Sequence, residues 1–458
     1  MCLGQRHQSS LAGLKIVLSL YPQHFVLGYF HFVPTGQNKQ KQQCLQKKAN
    51  PNIRQLLDSL GCRYWLLTTG YFCTVVRKLI RKSKVLMSEN LFQSSLHDKH
   101  VAAEASMGDV AGWRMPLSYR GVLDEVRQVR ATAGVMDVSH IGRIRIRGDG
   151  ALAVLEYACT HDVARQDDNT ATPSLLVNES GGIIDAVTLL RLEEHWLMLC
   201  SPINRLKVLE HLTILADAMD AKVDDQTTKT TMIEVAGPAA VNALDHVLPE
   251  KASAMAGNGA KSGSFMIAHY TVARAAGLGV WAINVAISNL FAGQAWRFIT
   301  AKAGDNCIAP VGLSARDVLR IEAGQPAYGW ELNETIDPYT AGLDGRVDFG
   351  HTFIGIDALR KLAAGTPARK RAGLVLAPSS AGLHGDNIPR QGDAVRAGDR
   401  EIGTITSATY SPTLDRIIAL AYVAADIADT DQPVTIDRAG SPLEAKTTSL
   451  PFVPLAVS

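Results

Sequence analysis

Cysteine is scarce in this chain. Of seven in 458 residues, Cys2, Cys44, Cys62 and Cys73 lie early, and Cys159, Cys200 and Cys307 are scattered through the rest. That pattern argues against a disulfide framework and for a reducing compartment. Long unbroken hydrophobic runs are also missing. Leu11–Phe32 is apolar but is interrupted by Lys15, Pro22, Gln23 and His24, so it makes a poor membrane span. The sequence has no Walker loop, no Gly-x-Ser-x-Gly and no HExxH. Those absences exclude a P-loop phosphate cradle, a nucleophile elbow and a zincin site. Cys159-Thr-His161 has no second pair at metal-ligand spacing and reads as incidental. Gly277-x-Gly279-x-x-Ala282 matches a dinucleotide fingerprint on paper. However, Ile283–Ile287 alternates like a strand, so no helix N-terminus waits for a pyrophosphate. His140 reads as a satisfied structural histidine, and no internal repeat is evident.

Acid is nearly absent from one region. Residues 1–86 hold 13 Lys or Arg and a single acid, Asp58, whereas the remainder carries 33 basic against 43 acidic residues and is acidic by 10. Gln37–Lys48 is a polar tract that reads as disordered. Tyr64–Leu79 is apolar and aromatic and merges into the basic run Arg77–Lys84. Three readings fit: a targeting segment, a basic nucleic-acid-binding arm, or upstream sequence outside the functional protein. Met87 begins ordinary composition, which favours the third, with residues 1–86 a disordered or spurious extension.

From Leu96 the composition is globular. The patterning predicts a helix over His97–Met107, a loop at Ala111–Pro116 and a helix over Gly121–Ala133. Strands are predicted within Val135–Arg147, where Ile144 and Ile146 alternate with Arg143, Arg145 and Arg147. A helix over Ala151–Cys159 follows, then strands Ser174–Val177 and Ile183–Leu192 hinged on Gly181-Gly182, strand Trp196–Cys200 and helix Asn204–Met219. Beyond these come strand Thr231–Ala236, a helix from Gly237-Pro238 to Leu248, strands Ser264–Ala275 and Val280–Ser288, and helix Phe291–Ala303. After Gly365 the pattern turns to short strands, predicting a terminal β-barrel or sandwich. In Gly312–Pro338, Ser314 is a candidate N-cap, and Gly324 and Pro326 stop the helix. Asp317 and Arg320 are spaced to pair, while Arg316 and Arg320 repel unless an anion separates them. The bland alternative is a solvated ion-pair face. Asp185, entering an apolar strand from the Gly-Gly turn, is a candidate for a shifted pKa.

Taken together, several segments resemble the T-protein of the glycine cleavage system, the aminomethyltransferase family. They are Met107-Gly-Asp-Val-Ala-Gly-Trp-Arg-Met-Pro, Gly134-Val-Met-Asp-Val-Ser-His-Ile-Gly, Asn178-Glu-Ser-Gly-Gly-Ile-Ile-Asp, Gly237-Pro238, all of Gly312–Pro338, Phe353-Ile-Gly-Ile-Asp-Ala-Leu, Gly403-Thr-Ile-Thr-Ser-Ala-Thr-Tyr-Ser-Pro-Thr-Leu and Pro451-Phe-Val-Pro. They run in the family's order over about residues 96–458, and their placement agrees with Met87 as initiator.

The resemblance implies an α+β, three-domain folate-binding fold with a C-terminal β-barrel. Its expected parts are a core from 87–145 and 231–350, a small ferredoxin-like α+β domain over 146–230 and a barrel over 366–458. It implies a tetrahydrofolate-dependent aminomethyltransferase. A one-carbon unit would pass from an aminomethyl-lipoyl H-protein to folate with release of ammonia, without metal, nucleic acid or membrane, in the cytoplasm (the mitochondrion if eukaryotic).

The family's site motifs fall on this chain unevenly. Its Gly-Gly-x-x-Asp-Asp becomes Asp185-Ala186, leaving Asp185 as the candidate catalytic carboxylate although the working position is 186. The family's folate-facing tyrosine and glutamate fall at Gly277 and Asn284, and an upstream tyrosine falls at Pro173. Arg316, Glu322 and Asn204 are kept, so Arg316, Glu322, Asn284 and Asn204 are the candidate folate ligands. The substitutions leave an alternative open, a catalytically degenerate folate-fold paralogue acting as a binding or assembly protein. The Lys-Gly-Cys-rich motif of the iron–sulfur-assembly branch is absent. A third reading keeps the pocket for another methylated small molecule.

Overall fold

A computed structural model describes residues 91–248, 251–265, 267–301, 308–378, 388–428, 431–439 and 441–454. The expectations for residues 1–86 and Cys307 lie outside these. Three large sheets carry the structure. The first has six strands in the order Ala260–Phe265, Ala268–Ala275, Ala282–Ser288, Thr230–Ala236, Gly134–Asp137 and Ala309–Pro310. The second has five antiparallel strands in the order Thr170–Val177, Ile183–Arg191, Trp196–Cys200, Gly142–Arg147 and Lys222–Asp225. The third is a closed six-stranded barrel of strands from Arg369–Leu376 to Ser441–Thr448. The α+β class with a C-terminal barrel is thus observed.

Period-two alternation decides what each sheet buries. On the six-stranded sheet, Ile233, Val235, Ile283, Val285 and Ile287 face one way. They pack under the helices Ala240–Asp245 and Asn289–Ala301 through Leu244, Trp296 and Ile299. The opposite, inner face carries Met136, Met232, Ala236 and Ala282. Helices Val122–Ala131 and Leu313–Glu322 cover it with Val126, Val129, Ala315, Val318 and Leu319. In the five-stranded sheet, Ile144, Ile146, Val187, Leu189 and Met198 lie under helices Ala151–Ala158 and Arg205–Ala218. Its other face presents Leu175, Ala186, Leu190 and Leu197 to the rest of the molecule.

Several local expectations change. The helix at His97 ends at Ala102, and Ser106–Val110 and Trp113–Ser118 pair as strands where helix and loop were expected. Ala111 and Gly112 form the two-residue turn between them, both with positive φ. The single strand expected over Ser264–Ala275 is a hairpin, Ala260–Phe265 with Ala268–Ala275. The helix at 313 starts at Leu313 with Gly312 as an N-cap that uses no side chain, so Ser314 is not the cap. Nor is that helix a solvated face: Leu313, Ala315, Val318, Leu319, Arg320, Ile321 and Glu322 are all buried. Burying Leu313, Val318, Leu319 and Ile321 contributes about 1.5–3 kcal/mol each.

Candidate functional site

The helix Leu313–Glu322 distributes its charges to separate carboxylates. Arg320 donates from Nε to Asp317 at 2.8 Å and from Nη1 to buried Glu331 at 2.7 Å. Its Nη2 reaches Ser407 in the barrel. Arg316 turns the other way, and its Nε meets Glu234 Oε2 at 2.6 Å. The like charges at four-residue spacing are therefore each neutralised, and the repulsion expected between them does not arise. Arg316 remains 27% exposed, whereas Glu234 is 1% exposed.

Glu234 sits in mid-strand, opposite Asn284 on one side and Met136 on the other. The ladder places Glu234 and Asn284 together on the inner face, where Arg316 meets Glu234 from the helix. Glu234 Oε1 and Asn284 Oδ1 are buried without a hydrogen-bond partner. His140 lies close to Arg316. Burial, reinforced by the neighbouring guanidiniums of Arg316 and Arg143, pushes its pKa down to about 3 and keeps the ring neutral. Its Nδ1 is also buried and unpartnered. Trp281 does not fill this face, because it packs into the opposite core with Arg274 stacked over its ring at 4.3 Å. A cleft of about 510 Å³ lies further along the same sheet, and none of Arg316, Glu234, Asn284 and His140 lines it. It lies between Arg145 and Glu193–His195 on one side and Ser264, His269, Thr271 and Ala286 on the other. Ala286 is two residues along the strand from Asn284, about 6.6 Å away on the same face.

Asp185 and Asn204 form a second cluster. Asp185 is fully buried on the helix side of its sheet, in register with Leu176. Its Oδ2 accepts from Ser201 N at 2.8 Å and its Oδ1 from Ala186 N at 3.0 Å. Asn204, whose Nδ2 donates to Ile184 O at 2.9 Å, also reaches the carboxylate. Burial raises the Asp185 pKa to about 6, with the hydrogen bonds from Ser201, Asn204 and Ala186 pulling the other way. A carboxylate with no exposed surface and backbone donors on both oxygens holds the turn that opens the helix Arg205–Ala218. It faces the helix side of its sheet, away from the inner face where a catalytic carboxylate was expected. Ala186 is the residue that faces inward, packed near Tyr328 and Tyr339. Pro173 is on the same side, opposite Thr188.

Glu322 stands apart from both clusters. Its Oε2 accepts from Arg130 Nε and Nη2 at 3.0 and 2.7 Å, and its Oε1 accepts from Ser411 Oγ in the barrel at 2.6 Å. With both oxygens committed and no exposure, it clamps two helices to the barrel, which leaves neither oxygen open for the ligand contact expected of it. The residue that sequence reasoning missed is Glu234. Its signal was available, since a lone acid between Ile233 and Val235 in an apolar strand demands a partner.

Two family profiles cover this architecture. The GCVT N-terminal domain matches residues 96–351, and the glycine cleavage T-protein C-terminal barrel domain matches residues 369–454. The chain belongs to the glycine cleavage T-protein family. It is 34% identical over 366 residues to an aminomethyltransferase of Streptomyces avermitilis, covering 78% of this chain and 96% of that one. It is 33% identical over 364 residues to an aminomethyltransferase of Thermus thermophilus, covering 79% and 99%. Among solved structures, the glycine cleavage system aminomethyltransferase T from Bartonella henselae superposes with a TM-score of 0.73 at 28% identity. That match covers 80% of this chain and 99% of that one. Among the described residues, no group of three or more His, Cys, Asp or Glu is arranged to hold a metal ion, and no helix is long and apolar enough to cross a membrane.

Proposed function

We propose that this T-protein family member binds tetrahydrofolate on the inner face beside Arg316. There it would transfer a one-carbon unit from an aminomethyl-lipoyl carrier of the H-protein kind, with release of ammonia. The observation that carries the reading is the pair of orphaned buried acceptors, Asn284 Oδ1 and Glu234 Oε1, beside an arginine whose side chain is 27% exposed. Buried acceptors left without donors cost about 1–3 kcal/mol each, and a folate's N–H-rich pterin edge supplies donors. When bound, the folate supplies the nucleophilic nitrogen for attack on the lipoyl-borne methylene carbon.

The chain's own contribution is orientation and charge. Arg316 fixes Glu234 and leaves a positive edge at the site. His140, held neutral, adds no competing charge. The apolar packing of Leu199 and the helix Leu313–Glu322 limits water around the reacting atoms. At position 186 the methyl group of Ala186 offers no proton acceptor, so the reaction here would rest on positioning rather than general-base help.

Purified protein supplied with aminomethyl-lipoyl carrier and tetrahydrofolate is expected to release ammonia faster than a protein-free control. Folate binding without turnover would instead support the degenerate binding-protein reading, which Ala186 favours. Absence of both would end the folate reading.

A further inference from the structure

Glu234 is hydrogen-bonded into neighbouring strands on both sides and almost wholly buried, and its two oxygens have unequal surroundings. Oε2 sits 2.6 Å from Arg316 Nε, while Oε1 is buried and has no partner. Directly across the ladder on the same face is Asn284, whose Oδ1 is likewise unpartnered. Paired positions in such a ladder have Cβ atoms about 4.5–5.5 Å apart, so an ionic and a neutral acceptor stand side by side. Apart from Met136, opposite Glu234 on its other side, and Met232, two residues before it, the residues around them on that face are small. Ala273 lies opposite Asn284, Ala286 and Ala282 lie two residues away along its strand, and Ala236 lies two beyond Glu234. None of these carries a side-chain donor to cap either oxygen.

Two adjacent acceptors select a ligand edge with two adjacent N–H donors. Arg316 already supplies the positive charge that balances the carboxylate, so a neutral amidine-like edge fits better than a second cation. The ring N–H and exocyclic amino group of an aminopyrimidine are such an edge, and a carboxylate binds it through charge-assisted hydrogen bonds. We propose that Glu234 is the carboxylate that grips the aminopyrimidine edge of the bound folate, from one strand beside position 284, with Asn284 as its neutral companion and Arg316 as the positioning residue that holds Oε2 and leaves Oε1 unpartnered. This assignment rests on the folate reading of the preceding subsection.

The test is calorimetric titration of the full chain with tetrahydrofolate and with its 2-desamino analogue, which lacks the exocyclic donor. The proteins are the wild type, Glu234→Gln, and the double variant Glu234→Ala/Asn284→Glu, which moves the carboxylate across the ladder. Glu234→Gln is expected to weaken tetrahydrofolate about ten- to a hundredfold, the worth of one hydrogen bond to a charged group. It is expected to leave the desamino analogue within about threefold of wild type. The double variant is expected to recover tetrahydrofolate to within about threefold of wild type, and it decides the matter if Glu234→Gln fails to fold. The assignment is overturned if Glu234→Gln binds tetrahydrofolate like wild type, if it weakens both ligands equally, or if the relocated carboxylate restores nothing. If wild type binds neither ligand, the folate reading itself falls and this assignment goes with it.

Discussion

Replacing Glu322 separates a structural carboxylate from a ligand-binding one. Three hydrogen bonds converge on this fully buried side chain: two from Arg130, at 3.0 and 2.7 Å, and one from Ser411, at 2.6 Å. They tie the helix Val122–Ala131, the helix Leu313–Glu322 and the barrel strand Arg400–Ser411 at one point. Glu322→Ala removes the anion and leaves Arg130, only 14% exposed, without its counter-charge. Breaking one side of such a buried pair costs about 3–5 kcal/mol. Glu322→Gln keeps the volume and one acceptor oxygen, and should cost less, about 1.5–3 kcal/mol. Arg130→Met/Glu322→Gln should cost less than the sum of the two single changes, because neither charge is then stranded, with a coupling of about 1–3 kcal/mol. The assay is urea unfolding followed by tryptophan fluorescence, run beside folate titration of each folded variant. The reasoning predicts lower unfolding midpoints with folate affinity within about threefold of wild type. An unchanged midpoint together with a tenfold or greater loss of folate affinity would refute the clamp and return Glu322 to the ligand.

Asp185 gives a pH signature. Its folded pKa of about 6 lies above the unfolded value of 3.8, so the fold holds its proton more tightly than the unfolded chain does. Its stabilising contribution is full below about pH 4 and is lost as pH rises to about 6, by about 3 kcal/mol. The stability of Asp185→Asn relative to wild type should therefore climb across pH 4–6, whatever constant offset the lost hydrogen bond adds, and a flat difference would contradict the burial argument. Gly182→Ala should destabilise by about 1–3 kcal/mol in urea unfolding, because a Cβ there falls 1.8 Å from the carbonyl oxygen of Glu334. Ala186→Asp places a carboxylate on the inward side of its strand and should raise ammonia release at least tenfold if proton transfer limits turnover, since a positioned base is worth about 10²–10⁴. An unchanged rate would mean that proton transfer does not limit turnover or that position 186 does not face the reacting atoms.

How far the sequence carries the fold can be seen in which elements needed long-range information. The helix Val122–Ala131 and the strands Ile183–Arg191 and Thr230–Ala236 follow from local periodicity and stand within one or two residues of expectation. The hairpin of Ser106–Val110 and Trp113–Ser118 did not, because its pairing runs through Ala111, a non-glycine with φ of 50°. No residue-type rule marks such a turn. The candidate site divides along the same line. Strand alternation alone puts Asp185 and Ala186 on opposite faces, and that part was legible. The fate of Glu322 was not, since Arg130 lies 192 positions away and Ser411 lies 89 positions away. Glu234 is the intermediate case. Its sequence context shows that an acid is buried, but only the register with Asn284 shows which face it takes and which donors it lacks. A motif position that has lost its charge is therefore weak grounds for a lost site: the ladder lets a neighbouring strand carry the same charge on the same face, at a spacing that no linear motif records.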